Sequence, residues 1–134
     1  MAKESGLGFS VIVDDSGGSA RTISNDITNL DFATPREEQD TTGMDKSAHE
    51  RLLLLADFSV TLNGVFNDAS NMSHDVFSTV SSSSVARTVT LAISGQTLAC
   101  ETNFSDYALG RSASGELTWS APGALAGGAV PTWS

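Results

Sequence analysis

The chain has 134 residues, with 16 acidic against 7 basic side chains for a formal charge of −9, and 17% charged and 40% hydrophobic residues. That length suits one domain of ordinary size, and the longest uninterrupted apolar run, Leu52 to Ala56, is far short of the roughly 20 residues a membrane helix needs. An acidic balance is wrong for clamping a phosphate backbone, which takes clustered Lys and Arg, and the single cysteine, Cys100, cannot close an internal disulfide.

The start, Met1-Ala2-Lys3-Glu4-Ser5, has no apolar h-region, so synthesis in a cytosol is the expectation. Leu7, Phe9, Val11 and Val13 alternate with Gly8, Ser10 and Ile12, the period of a strand. Asp14-Asp15-Ser16-Gly17-Gly18 reads as a turn. Arg21 to Phe32 holds Ile23, Ile27, Leu30 and Phe32 but is broken by Asn25-Asp26, which predicts a short strand, a bend and another extended piece.

Residues 33 to 50 are polar, with clear breakers. Thr34-Pro35-Arg36-Glu37 satisfies a capping box with Pro at the first helical position, so the segment reads either as a short helix or as a long solvated loop. Structureless stretches of this length inside a compact domain are uncommon, and when they occur they usually carry function.

Leu52 to Leu55 has helical propensity in the position of a strand lead-in, and a strand is the expectation. Phe58, Val60 and Leu62 then alternate with Asp57, Ser59, Thr61 and Asn63, with a bulge expected at Gly64. Met72, Val76, Phe77 and Val80 recur at helical spacing, with Asn71 or Ser73 as N-cap and Asp75 in the first turn, which predicts a helix of two to three turns. Val85, Arg87, Val89, Leu91 and Ile93 share one face of a strand that turns at Ser94-Gly95. Extended runs over 96–104, 107–112 and 116–121 follow, and Pro122-Gly123 and Gly127-Gly128 loosen the tail. The expected fold is mostly β, a sandwich or partly closed barrel with one short flanking helix and a long loop.

Catalytic material is sparse. His49 and His74 have no second His or Cys at ligand spacing. Ser73-His74-Asp75 is consecutive, whereas a triad needs side chains converging from different elements. Glu37-Glu38 and Asp14-Asp15 read as solvated pairs, Cys100 as a small core residue beside Leu98, and the Gly pairs lack phosphate-loop spacing. No catalytic, cofactor or metal residue is assigned. Trp119 belongs to a core face. Trp133, next to the end of a loose tail, must dock on its own subunit or on a neighbour, and aromatic anchors are favoured at interfaces.

The order of several fragments is distinctive: Asp26-Ile27-Thr28-Asn29, the polar stretch from Asp40 to Leu52, Asp57 to Asn67, Ser73-His74-Asp75-Val76, Arg87-Thr88-Val89, Gly115 to Trp119 and Val130-Pro131-Thr132-Trp133. From about residue 20 to the end this resembles the major tail (tail tube) protein of long-tailed, siphovirus-type bacteriophages, in a form similar to those of actinobacterial phages. The resemblance implies a single tail-tube domain over 1–134, a structural virion protein that is not an enzyme and needs no cofactor. It implies hexameric rings stacked into a tube, with strands of every subunit joined in a barrel around the lumen. A loop over about 33–50 would reach the adjacent ring through Arg36, Glu37, Glu38, Asp40, Met44, Asp45 and Lys46. A C-terminal arm over about 122–134 would add contacts through Pro131 and Trp133. Partners would be copies of itself, a tape-measure protein, and tail terminator and tail tip proteins. Genome DNA would pass without specific binding, and no membrane is involved. Asp57 and Glu101 are candidates for an acidic lumen that repels phosphate. The alternatives are another virion β-protein, such as a capsid decoration or tail completion protein, and a carbohydrate-binding module, for which 7% aromatic content is thin.

Overall fold

Alternating apolar residues make strands here, and the strands pair antiparallel throughout. The computed structural model describes residues 3–134; Met1 and Ala2 of the polar start lie outside the described residues. In chain order it has β1 (Ser10–Asp14), β2 (Ala20–Thr22), a 3-10 turn (Ser24–Asp26), β3 (Ile27–Ala33), β4 (Arg36–Asp40), β5 (Arg51–Ala56), β6 (Ser59–Val65), α1 (Ser73–Phe77), β7 (Arg87–Ile93), β8 (Gln96–Phe104), β9 (Ala108–Arg111) and β10 (Leu117–Leu125). One 8-stranded sheet runs β2-β1-β7-β8-β10-β6-β3, with β9 on the side of β10, and β4 and β5 form a separate hairpin. Over the described residues the fold is thus mostly β, with one helix and no closed barrel.

The long strand β10 joins the two halves. Leu117 to Ser120 pair with β9 and Gly123 to Leu125 pair with β8, while β6 lies along its other side. Between the halves lie Val11, Val13, Phe58, Val60, Leu62, Val89, Leu91, Leu98, Trp119 and Ala121, all buried. Close packing at the junction requires glycine twice. A Cβ on Gly64 would sit 2.1 Å from the Asp26 carbonyl oxygen, and one on Gly123 would sit 2.6 Å from Thr102 Cγ2. The turn Ser94-Gly95 has positive φ at both residues, 52° and 81°, the geometry that suits the twist of a two-residue hairpin.

Two buried polar side chains hold the helical segment against the sheet. Arg87 is 1% exposed. Its Nη1 donates to the carbonyls of Val76 (2.7 Å) and Asp14 (3.3 Å), and its Nη2 donates to Thr79 Oγ1 at 3.0 Å. Burial lowers the Arg87 pKa from its ordinary value, with Asp15 and Asp14 opposing the shift. At the other end, Asp26 accepts from the Ser73 backbone N–H at 3.0 Å and from Asn67 Nδ2 at 2.8 Å.

Several expectations are corrected. The first strand begins at Ser10, and Leu7 is exposed. The helix has a single short run, Ser73–Phe77, and its first amide is met by the distant Asp26 and its second by the Asn67 carbonyl, instead of by a side chain of Asn71 or Ser73. The bulge expected at Gly64 falls on the partner strand, between Ile27 and Asn29. Residues 33–50 form no helix, and the loop is shorter than expected: Arg36–Asp40 is a strand paired with Arg51–Ala56, which leaves the loop at 41–50. The capping box at Thr34 loses to ladder pairing, with Pro35 offering its carbonyl to the Asp57 N–H at 2.9 Å.

Arg87→Leu should cost at least ~2 kcal/mol, because it strands buried carbonyls that Arg87 now satisfies. A lower urea midpoint at an unchanged slope is the expected result; a midpoint equal to that of the parent protein would show that those bonds carry no net stability.

Candidate assembly surface

The hairpin of β4 and β5 continues the paired strands β3 and β6 outward as an arm. Ala33 still pairs with Ser59 and Arg36 with Ala56, so the ladder is interrupted at Thr34-Pro35 on one strand and at Asp57-Phe58 on the other. Every residue of β4 and β5 is exposed except Ala56, which is half-buried. Within β5, Leu52, Leu53, Leu54 and Leu55 are 55%, 58%, 41% and 74% exposed. Glu38 pairs with Leu53 and Asp40 with Arg51 on one face, and Gln39 pairs with Leu52 on the other, so each face mixes leucine with polar side chains. Arg51 Nε lies 3.8 Å from Glu38 Oε2, and Arg36 Nε donates to the Leu54 carbonyl at 2.7 Å. Glu37 lies opposite the register shift between Arg36 and Glu38.

The tip is a ten-residue connection over 41–50. Thr41 N donates to the Glu50 carbonyl at 2.8 Å. Asp40 accepts from the Thr42 hydroxyl and backbone N–H, and its Oδ2 lies 3.1 Å from His49 Nδ1. The Thr42 hydroxyl first, then the Thr42 backbone N–H, hold the Asp40 carboxyl below the usual aspartate value, with a smaller contribution from His49. Met44, Asp45 and Lys46 sit at the apex, all exposed, with Lys46 N donating to the Gly43 carbonyl at 3.2 Å.

β10 runs through Pro122 and Gly123 to Leu125, so the tail begins at Ala126. It follows the edge of β8 that β10 leaves free. Ala126 N donates to the Glu101 carbonyl at 2.9 Å, and Thr97 and Ser134 exchange two backbone bonds at 3.1 and 2.9 Å. Trp133 bridges to Leu98, and its ring lies 6.0 Å from Phe32, so it docks on its own subunit while staying 45% exposed. Pro131, half-buried, lines a cavity of about 290 Å³ beneath the tail with Cys100, Glu101 and Val130.

The two lumen candidates both point outward. Asp57 is exposed and precedes the alternation in which Phe58, Val60 and Leu62 are buried, which places it on one face with Ser59, Thr61 and Asn63. Across the ladder that face continues through Pro122 and Ser120 on β10 and through Asp31 on β3. Glu101 projects from β8, accepts from the Thr88 hydroxyl and lies beside the tail.

Among the described residues the arrangement holds no reactive constellation. His74 Nδ1 lies 3.3 Å from the Tyr107 hydroxyl, Asp75 Oδ2 accepts from Asn71 N at 2.6 Å, and the buried Ser73 Oγ has no partner, so the consecutive triplet diverges. Burial pushes the Cys100 thiol pKa up, away from thiolate chemistry. Among the described residues no group of three or more His, Cys, Asp and Glu could hold a metal ion, and no helix is long and apolar enough to cross a membrane. What the expected residues missed is the leucine run itself. Its signal was in the sequence, since four consecutive apolar residues in a strand cannot all face one core.

Because the folded Asp40 carboxyl releases its proton more readily than the unfolded one, the tip's order is present at neutral pH. It is lost as pH falls through the ordinary value of 3.8 and below it. Protection of the Thr42 amide, taken relative to its intrinsic exchange rate at each pH, should fall over that range, and Asp40→Asn should remove most of that acid dependence; a Thr42 protection factor indifferent to acid would contradict the assignment.

No protein-family model matches this chain. No curated protein matches it either. Solved structures do. A chain described as "Virion of native gene transfer agent (GTA) particle" superposes with a TM-score of 0.78 at 17% identity, over 98% of this chain and 99% of that one. Another, described as "Tail of empty GTA particle computed with helical refinement, C6 symmetry", gives a TM-score of 0.75 at 20% identity over 98% of both chains. These neighbours are components of a virion and of a tail. End to end, this chain has the fold of those virion and tail subunits.

Proposed function

We propose that the protein is a structural subunit of a phage-type virion tail, the tube protein, which assembles with copies of itself into six-membered rings stacked around a conduit for DNA. The observation that carries this is the arm. A two-stranded ribbon standing clear of its domain is marginal in water, and this one exposes four leucines and two open backbone edges. Those groups call for pairing with another chain. The free edges of β4 and β5 are different surfaces of the same element. Joining one to the other from copy to copy is a heterologous contact, which closes into a ring when the rotation allows. The six-fold symmetry stated for the tail neighbour supports the count of six. Tape-measure, terminator and tip proteins are the partners that such a tube requires, and the virion is its location. In this reading Arg36, Glu37, Glu38 and Asp40 lie in the ring-forming ribbon, and Met44, Asp45 and Lys46 at its apex reach the neighbouring ring.

The same geometry supports a reading of which face lines the conduit. If the β3–β6–β10 layer continues through the arms around a ring, the second layer with α1 must lie on the outer circumference, where there is room for it. The opposite face, with Asp31, Asp57, Ser59, Thr61, Asn63, Ser120 and Pro122, then looks inward. It offers hydroxyls, amides and two carboxylates with no Lys or Arg, a surface on which phosphate finds no cation. Glu101 lies on the adjoining outward surface of β8 beside the tail.

Replacing Leu52 and Leu54 with Ser should leave folding stability within about 0.5 kcal/mol, as for other exposed sites, while abolishing tubes in negative-stain electron microscopy of concentrated protein. Normal tubes from that variant would sink the arm as the assembly element. A Cys at Ser120, in protein whose Cys100 is buried, should react with a bulky maleimide in the free subunit and be shielded in tubes; equal labelling of both would place the conduit elsewhere.

A further inference from the structure

We infer that Trp133 is an intramolecular latch that sets the direction of the arm through Phe32. The arm is attached where the ladder is interrupted on both strands, at Thr34-Pro35 and at Asp57-Phe58, and one backbone bond, Asp57 N to the Pro35 carbonyl at 2.9 Å, crosses that gap. Such a joint is a hinge, since few constraints resist bending across it. Phe32 and Phe58 flank it on the domain side. Phe58 is fully buried, whereas Phe32 is half-buried and owes its cover to aromatic neighbours from both ends of the chain. Phe9 meets it edge-on at 6.1 Å and Trp133 meets it tilted at 6.0 Å. Trp133 in turn is positioned by the paired Thr97–Ser134 backbone bonds.

The tail is built as a strap rather than as a full strand. It touches the β8 edge at Ala126 and again at Trp133 and Ser134, with a cavity of about 290 Å³ under the span between. A strap held at its ends is released by loss of one anchor, and the anchor at the far end is the Trp133 ring. With it docked, Phe32 is fixed and β4 leaves the domain at one angle. With it gone, the hinge is held by the single bond and by Phe9. This inference rests on the arm as the assembly element, but its primary readout belongs to the isolated subunit.

The experiment is amide hydrogen exchange on dilute, unassembled full-length protein. Trp133→Ala should speed exchange of the Asp57 amide about tenfold or more and leave the β7 amides unchanged. Trp133→Phe should restore most of the protection. Phe32→Leu should give a similar increase, and the double variant should add little to either single one, because both remove one contact. Tube formation should fall and recover in the same order. An Asp57 amide unaffected by Trp133→Ala would overturn the inference, as would effects of Trp133→Ala and Phe32→Leu that simply add. If Trp133→Ala opens the whole domain, the β7 amides exchange too, and Phe32→Leu, which leaves the tail on the β8 edge, decides the question alone. Failure of the wild-type protein to form tubes would instead count against the proposed function and leave the exchange result intact.

Discussion

An antiparallel sheet that does not close presents unpaired backbone donors and acceptors along its edges, and most of what is particular to this protein follows from how each edge is met. Beyond the short strand β2, the Val11 backbone is answered by the Ser24 hydroxyl and by the Ile23 N–H. The edge of β8 that β10 abandons is covered by the chain's own tail. β10 itself divides its outer side between β9 and β8, with Pro122 between the two pairings, where a missing N–H disturbs the ladder least. Along β4 and β5 no element among the described residues supplies the pairing, and those edges carry the exposed leucines.

The contrast between the domain and its arm is energetic. The domain buries aromatic and aliphatic side chains in one contiguous cluster around Phe77, Phe104, Trp119 and Tyr107. Burial on that scale gives the subunit its own stability. The arm buries almost nothing within the subunit. Its leucines stay exposed to water within the subunit.

Buried polar groups explain why so short a helix is held firmly. Arg87 gathers carbonyls from the end of α1 and from β1, and Asp26 meets the first amide of the helix from a distant turn. Tyr107, whose hydroxyl pKa is raised by burial and by Asp26, packs between His74 and Phe77 and completes that side. Each group is distant in sequence from what it satisfies. Local signals around residue 73 therefore suggested a self-capped helix of two to three turns, while the observed five-residue helix relies on Asp26 instead.

Strand existence was legible in the sequence because period-2 alternation is a local property. Leu91 against Thr90, or Val60 against Thr61, declares a face without reference to any partner. The bend at Asn25-Asp26, the Ser94-Gly95 turn and the core position of Trp119 were legible for the same reason. The outcome for residues 34–37 was not: a capping box describes a helix to its immediate neighbours, and only pairing across the chain, Glu38 to Leu53 and Asp40 to Arg51, makes the segment one strand of a ribbon with the strand expected at Leu52 to Leu55. Likewise the composition of the tail showed an aromatic that had to dock, but its partner, Phe32, lies a hundred residues away in the chain. The sequence by itself determined which residues seek burial and the period at which they recur. The tertiary structure alone decided where burial was withheld, because exposure of Leu52 to Leu55 and the cover of each sheet edge depend on which strands come together.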